Sequence, residues 1–233
     1  MASPEAVEAL LRTTDLFGGL PEAVRADCAT AFREVRFEKG RTLFVHGDRG
    51  THAHVIAEGR VRLTLTTAAG RELSVRIAEP GSLIGEIAAL DGGARSADAT
   101  AISAVVAQAI SAADLDRLIG RHPDLARAAV RLLCARLRAT TDQMEGIALH
   151  SIEVRLARFL LEALGGRTGE AGRRPALELG YSQSELARLI GSSRPKTNLA
   201  LGSLEAAGAI RRTADRLFCD PARLAAIAGV DDG

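Results

Sequence analysis

Hydrophobic and polar residues alternate through much of the first half of the chain. The alternation runs through Phe32–Phe37, Thr42–Val45, His52–Ile56, Val61–Thr67, Glu72–Ile77 and Ala99–Val106, and it predicts strands with one buried and one wet face. Gly59, Gly70, Gly81 and Gly92 fall eleven residues apart among them. Short strands punctuated by turn glycines predict an antiparallel sandwich or rolled barrel. Residues 4–13 and 21–31 instead repeat with helical spacing, joined by Leu16-Phe17-Gly18-Gly19-Leu20-Pro21. A further short helix is expected over Ser111–Gly120, capped by Ser111.

The period then changes for good. Between Asp124 and Glu145 there is no glycine or proline, and His122-Pro123-Asp124 opens the stretch with a proline suited to a first turn and an acid that complements the helix dipole. Ala126, Val130, Leu133, Leu137, Thr140, Met144 and Ile147 step by four and three in alternation, the spacing of a coiled-coil seam. Arg127, Arg131, Arg136, Arg138, Asp142 and Glu145 lie off that line. A long helix is expected from Asp124 to His150, packing on a second copy of the chain, with a hinge near Gly146–Ser151. Thr140, followed by Thr141, is the polar exception in the seam, either a tolerated polar spot or a ligand contact.

Beyond it, Ile152–Leu164 is amphipathic and Gly165–Pro175 (GGRTGEAGRRP) is a loop. Ser182-Gln183-Ser184-Glu185 has the form of a capping box opening a helix through Ile190. Gly191-Ser192-Ser193 makes a turn, and a second helix runs from about Arg194 to Ala207, stopped at Gly208. Ile210–Thr213 and Arg216–Cys219 then predict a hairpin around Ala214-Asp215. Helix, short turn, helix and hairpin is the layout of a winged helix-turn-helix. Leu199, Leu201, Leu204 and Ala207 are expected to pack inward. The expected DNA contacts are Ser182, Gln183 and Ser184 on the first helix and Ser193, Arg194, Lys196, Thr197 and Asn198 on the second.

Composition narrows the class of protein. The 233 residues are 47% hydrophobic, enough for one large or two ordinary domains, and no apolar run approaches the roughly 18 residues of a membrane span. Met1-Ala2-Ser3-Pro4-Glu5 lacks the basic-then-apolar order of a secretory signal. Cys28, Cys134 and Cys219 are scattered and odd in number, which suits a reducing compartment. A cytoplasmic protein is expected. Net charge is +1, but between Arg188 and Arg216 six basic residues face two acidic ones, a local excess of four positive charges suited to nucleic acid. No nucleophile–base set, phosphate-binding Walker loop or metal-ligand cluster stands out. An enzyme is therefore not expected, and neither a metal nor haem at His46, His52 or His54.

One segment carries ligand chemistry. In Gly81–Leu90 a strand ends and a helical turn begins, and Arg95-Ser96-Ala97 follows nine residues after Glu86. Gly85 permits close approach of the backbone, Arg95 offers a fork for phosphate oxygens, Ser96 adds a hydroxyl and Glu86 can accept from a ribose hydroxyl. GEIAALDGGARSA resembles the phosphate-binding cassette of cyclic-nucleotide-binding domains. With Glu38-Lys39-Gly40, Gly47-Asp48, the HPD helix start and ELARLIGSSR, nearly the whole chain is similar to the cAMP-receptor branch of the CRP/FNR family of transcription regulators.

The resemblance implies an α+β chain: an antiparallel, jelly-roll-like β-roll that binds a cyclic nucleotide (1–122), a dimerisation helix and hinge (123–150), and a winged helix-turn-helix that binds DNA (151–233). It implies that Gly85, Glu86, Ile87, Ala88, Arg95, Ser96 and Ala97 hold the ribose and phosphate. The base would lie against Thr140 and the partner copy's counterpart of Thr141. It also implies a palindromic double-stranded operator and contact of the loop 165–175 with RNA polymerase. The chain departs from the branch where Pro195 and Leu199 replace a Glu and an Arg that read bases, so a different operator is expected, read by Lys196 and Asn198. The effector is expected to be cAMP rather than cGMP. The alternatives are a regulator of the same fold that is effector-independent or uses another small molecule and, further off, the regulatory subunit of an enzyme.

Overall fold

Local sequence sets the first helices. Ser3 accepts from the Ala6 amide and Pro4 fills the first turn of α1 (Pro4–Leu11); α2 (Glu22–Ala29) follows Pro21. In the computed structural model, residues 3–66, 72–165, 175–177, 182–213 and 216–229 are described. They form two units, Met1–Arg138 and Ala139–Gly233.

The alternating segments become β1 (Arg33–Phe37), β2 (Thr42–Phe44), β3 (His52–Glu58), β4 (Val61–Thr66), β5 (Glu72–Ala78) and β6 (Leu83–Ile84). After α3 (Glu86–Asp91) come β7 (Asp98–Ala101) and β8 (Val105–Ser111). Two antiparallel four-stranded sheets result, in the orders β1-β8-β3-β6 and β2-β7-β4-β5. Ile56, Val61, Ile84, Ala99, Val105 and Ala107 fill the space between them. A second core, with Val7, Leu11, Phe17, Val55, Leu115 and Leu125, joins the helices to the outer face of the first sheet. Strand β3 serves both cores, Val55 in one and Ile56 in the other, so it carries four consecutive buried residues.

The expected strand Ala99–Val106 is corrected to two strands in different sheets. The chain turns at 102–104, where the Ser103 hydroxyl accepts from the Arg60 amide at 2.9 Å. Gly59 (φ +83°) packs so closely there that a Cβ would lie 2.0 Å from the Ala104 carbonyl oxygen. Ala99 and Ala101 before the turn and Val105 and Ala107 after it are all buried at alternate positions, so periodicity alone does not mark the break. Of the evenly spaced glycines, Gly70 lies outside the described residues.

Ser111 caps α4 (Ala112–Arg121), accepting from the Asp114 amide at 3.0 Å. Helix α5 (Pro123–Leu149) follows and has two kinds of apolar surface. Leu125, Ala128, Ala129 and Leu132 are buried in the first unit's core. Val130, Leu137 and Met144 stand 61%, 67% and 66% exposed, with Leu133 and Ile147 also exposed, and they trace the coiled-coil spacing. The helix passes through Gly146 unbroken, so the break falls at His150–Ser151.

In the second unit, α6 (Ile152–Leu164), α7 (Gln183–Leu189) and α8 (Arg194–Ala206) pack with a three-stranded sheet in the order β10-β11-β9. Its strands are β9 (Ala176–Leu177), β10 (Ile210–Arg212) and β11 (Leu217–Cys219), and α9 (Pro221–Ala228) closes the unit. Leu156, Leu160, Leu186, Leu201, Leu204 and Leu224 form its core. Neither β9 nor α9 is expected from the pattern above. β9 is too short to show a period, whereas α9 has a readable cap, Asp220 accepting from the Arg223 amide ahead of Pro221. The loop 166–174 and the hairpin tip at Ala214-Asp215 lie outside the described residues. The architecture is an α+β chain: an N-terminal antiparallel β-roll, a long helix and a C-terminal winged helix-turn-helix. Among the described residues, no helix is long and apolar enough to cross a membrane.

Candidate functional site

Gly85 ends β6 and starts α3 with φ +72°, a backbone conformation that costs a side-chain-bearing residue about 1 kcal/mol. A Cβ here would sit 2.4 Å from Arg95 Nη1. Glycine thus lets the backbone bend into the site and leaves room for the guanidinium.

Arg95 is 6% exposed. Its Nη1 donates to the Gly85 carbonyl at 2.9 Å and its Nη2 to the His52 carbonyl at 2.8 Å, and the guanidinium lies 4.2 Å over the Phe44 ring. Five N–H donors on a guanidinium leave three beyond these two bonds. Burial lowers the Arg95 pKa, opposed by the negative charges of Glu86 and Asp48.

Glu86 is 5% exposed, and its Oε1 lies 3.5 Å from Arg136 Nε on α5. Arg76 on β5 donates to the Leu83 carbonyl at 2.6 Å. Burial pulls the Arg76 pKa down to about 10; the positive charge of Arg136 adds to this, while Glu86 and Asp15 oppose it. Arg76, Arg95 and Arg136 therefore share the field of one buried carboxylate. Asp15 and Asp48, the other acids acting on them, are exposed and screened by water. Burying more positive than negative charge is unfavourable in isolation, and a bound anion would relieve it.

Among the remaining expected ligand contacts, Ala88 and Ala97 are buried, Ile87 is 38% exposed and Ser96 is exposed. Thr140 and Thr141 are exposed on α5, in the second unit. The structure thus brings together Gly85, Glu86 and Arg95. It adds Arg76, Arg136 and Phe44, which sequence reasoning missed. Arg136 was visible only as a residue off the seam, and nothing in the spacing of Arg76 and Phe44 links them to a cassette far along the chain.

His54 is buried beside Arg95, its ring 6.2 Å from Phe37 and 6.3 Å from Phe44 between centroids. Burial pulls its pKa down to about 4, helped by the positive charge of Arg95 and of His52. A neutral imidazole avoids adding another charge beside the guanidinium. Among the described residues, no group of three His, Cys, Asp or Glu is placed to hold a metal ion. A separate cleft of about 550 Å³ is lined by residues including Asp27, Arg33, His52, Asp114, Arg117 and Arg121. Its acids are already engaged: Asp27 with Arg121 and His122, and Asp114 with Arg117.

In the helix-turn-helix, Gly191 (φ +63°) turns the chain between α7 and α8. Arg155 from α6 holds this turn, its Nη1 donating to the Ile190 carbonyl at 2.7 Å and the Gly191 carbonyl at 3.1 Å. Ile147 of α5 packs on the same glycine, where a Cβ would meet its side chain at 3.0 Å.

Helix α8 presents Ser193, Arg194, Pro195 and Lys196 to solvent, and Asn198 is half-buried. Ser182 and Gln183 are exposed and Ser184 is half-buried. Two expectations are corrected. Thr197 is fully buried, so its side chain does not face a duplex. Leu199 and Ala207 do not pack inward: Leu199 is 72% exposed and Ala207 is exposed. The inward face is Thr197, Ala200, Leu201 and Leu204, a clean i, i+3, i+4, i+7 set that leaves Leu199 on the opposite side.

Comparison with known proteins agrees with this division. The cyclic nucleotide-binding domain family matches residues 34–122, and the Crp-like helix-turn-helix domain family matches residues 154–227. The chain is 32% identical over 203 residues to the cyclic AMP receptor protein of Thermus thermophilus, covering 86% of this chain and 90% of the relative. It is 29% identical over 221 residues to a CRP-like cAMP-activated global transcriptional regulator of Mycobacterium tuberculosis, covering 94% and 98%. The crystal structure of the Thermus thermophilus catabolite activator protein superposes with a TM-score of 0.54 at 30% identity, covering 94% of this chain and all of that one.

Proposed function

Given that the chain belongs to the CRP/FNR family of transcription regulators, we propose that it is a homodimeric DNA-binding regulator whose effector is a cyclic nucleotide, cAMP in preference to cGMP. A DNA-binding regulator with a cyclic nucleotide-binding domain is a sensor and not an enzyme. The observation that carries the effector is the buried Arg95, held at Gly85 with N–H groups left over, beside a buried Glu86 that pairs with Arg136. In this reading Arg95 and Ser96 bind the cyclic phosphate, Glu86 accepts from the ribose hydroxyl, and Gly85, Ile87, Ala88 and Ala97 shape the cradle. Thr140 and Thr141 are assigned to the base by resemblance. The preference for cAMP rests on the two relatives, whose names carry cyclic AMP.

Dimerisation is proposed through the exposed line Val130, Leu133, Leu137, Met144 and Ile147, too regular and too apolar to be left in water. Residues 1–122 sense, 123–150 dimerise and 151–233 bind DNA. Bound nucleotide favours one packing of the paired helices, and Ile147 with Arg155 passes that packing to the turn before α8. Linkage then requires operator DNA to tighten nucleotide binding by the same factor. Dimer symmetry calls for a palindromic operator with half-sites about one helical turn apart. The place of action is the cytoplasm, and RNA polymerase is the expected partner there.

Calorimetric titration with cAMP and cGMP tests the effector. Saturable binding of cAMP, tighter than cGMP, is expected. Absence of heat from either nucleotide at high micromolar concentration overturns the reading.

A further inference from the structure

Two residues of α8 have no purpose within the protomer. Leu199 is 72% exposed, although a leucine is strongly favoured by burial. Gly202, three residues on, lies inside a helix where glycine is less favourable than alanine, yet nothing lies within 4 Å of a Cβ built there. Packing therefore demands neither the exposed leucine nor the missing side chain beside it.

Their neighbours say what could cover them. Lys196, Leu199 and Ser203 are exposed at i, i+3 and i+7, one stripe along the helix. The Ser203 hydroxyl is turned back to the Leu199 carbonyl at 3.2 Å, so the middle of the stripe is apolar. Arg194 and Lys196, both exposed, put positive charge at the start of the helix, where phosphates are met. A second protein would not favour a lone leucine edged by cations. The major groove of DNA would, because it presents one apolar feature among its polar edges, the thymine 5-methyl group.

We propose that Leu199 reads the 5-methyl group of a thymine in each half-site, and that Gly202 keeps the adjoining turn low enough for the groove wall to approach. Specificity at that base pair then comes from apolar contact and not from a hydrogen-bonding pair. The inference rests on α8 being the DNA-reading helix.

The test starts with selection of duplexes from a random pool by the full-length protein in the presence of cAMP. Each thymine of the selected operator is then replaced by deoxyuridine, which removes only the methyl. Affinities are measured for the native protein and for Leu199→Ala. At one thymine per half-site, loss of the methyl should weaken the native protein about fourfold, or about fifteenfold when both half-sites are changed. Leu199→Ala should not respond to that change. Because Leu199 is exposed, the variant should fold as the native protein does, which thermal melting checks. If no thymine shows the coupling, or Leu199→Ala keeps the native sensitivity to every methyl, the inference is overturned while DNA reading by α8 stands. If the pool yields no enriched duplex, the reading of α8 fails and the inference with it.

Discussion

Replacing Arg95 with leucine separates its two tasks. In the protomer its guanidinium satisfies the Gly85 and His52 carbonyls and stacks on Phe44. In the proposed complex its remaining N–H groups bind the cyclic phosphate. Charge-assisted hydrogen bonds are worth about 1.5–3 kcal/mol each, so losing two to the phosphate should weaken nucleotide binding by roughly 10²–10⁴-fold. Two part-buried carbonyls lose their partner and the ring contact goes. Partial relief of the desolvation of a buried cation offsets this, so the net loss of stability should be on the order of 2–4 kcal/mol. Val130 and Leu137 face away from the protomer core on α5, so dimerisation should survive. Calorimetric titration, thermal melting and sedimentation read these three quantities. Arg95→Lys keeps the charge without the fork and should bind more weakly than native while melting closer to it. Binding by a folded Arg95→Leu within tenfold of native would refute the phosphate assignment. Native affinity in Arg95→Lys would refute the bidentate geometry.

Gly85→Ala combines a positive φ with a Cβ 2.4 Å from Arg95 Nη1. It should cost about 1–3 kcal/mol of stability and at least about tenfold in nucleotide affinity, measured by melting and calorimetry. Leu137→Glu places a charge in each half of the proposed seam. Sedimentation should show monomers at micromolar concentration, while the protomer's own melting changes by no more than about 0.5 kcal/mol because the site is 67% exposed. His54 has its pKa depressed to about 4 by burial, so its neutral form stabilises the fold fully above the ordinary histidine range near 6.5. Between pH 6.5 and 4 the unfolded chain takes up the proton first, and stability should fall by on the order of 3 kcal/mol from this residue. Chemical denaturation across that window should be flatter for His54→Leu; an identical pH profile would show that His54 is not the titrating group.

Much of this protein is decided along the chain itself. Alternation over residues 32–77, the four-three seam of α5 and the cap at Ser111 are local patterns. They follow from the two- and 3.6-residue periods of strand and helix, so they can be read before any fold is known. The cassette Gly85–Ala97 was legible for a related reason: its glycine, carboxylate and arginine are close in sequence as well as in space.

What the chain does not carry is phase and convergence. Leu199 and Leu201 are alike in sequence, yet one is exposed and the other buried, because the fit of α8 to the core at Ala200 and Leu204 fixes its rotation. Thr197 looked like a surface hydroxyl and lies inside for the same reason. The break between β7 and β8 is set by which sheet each strand joins, and that is a pairing decision between distant segments. Arg76, Arg136 and Phe44 reach Glu86 and Arg95 from β5, α5 and β2, and only the closed roll brings them together. Local periodicity depends on one segment's own geometry. A site drawn from five segments, four giving a charge and one a ring, depends on the packing of all of them, and that information exists only once the chain has folded.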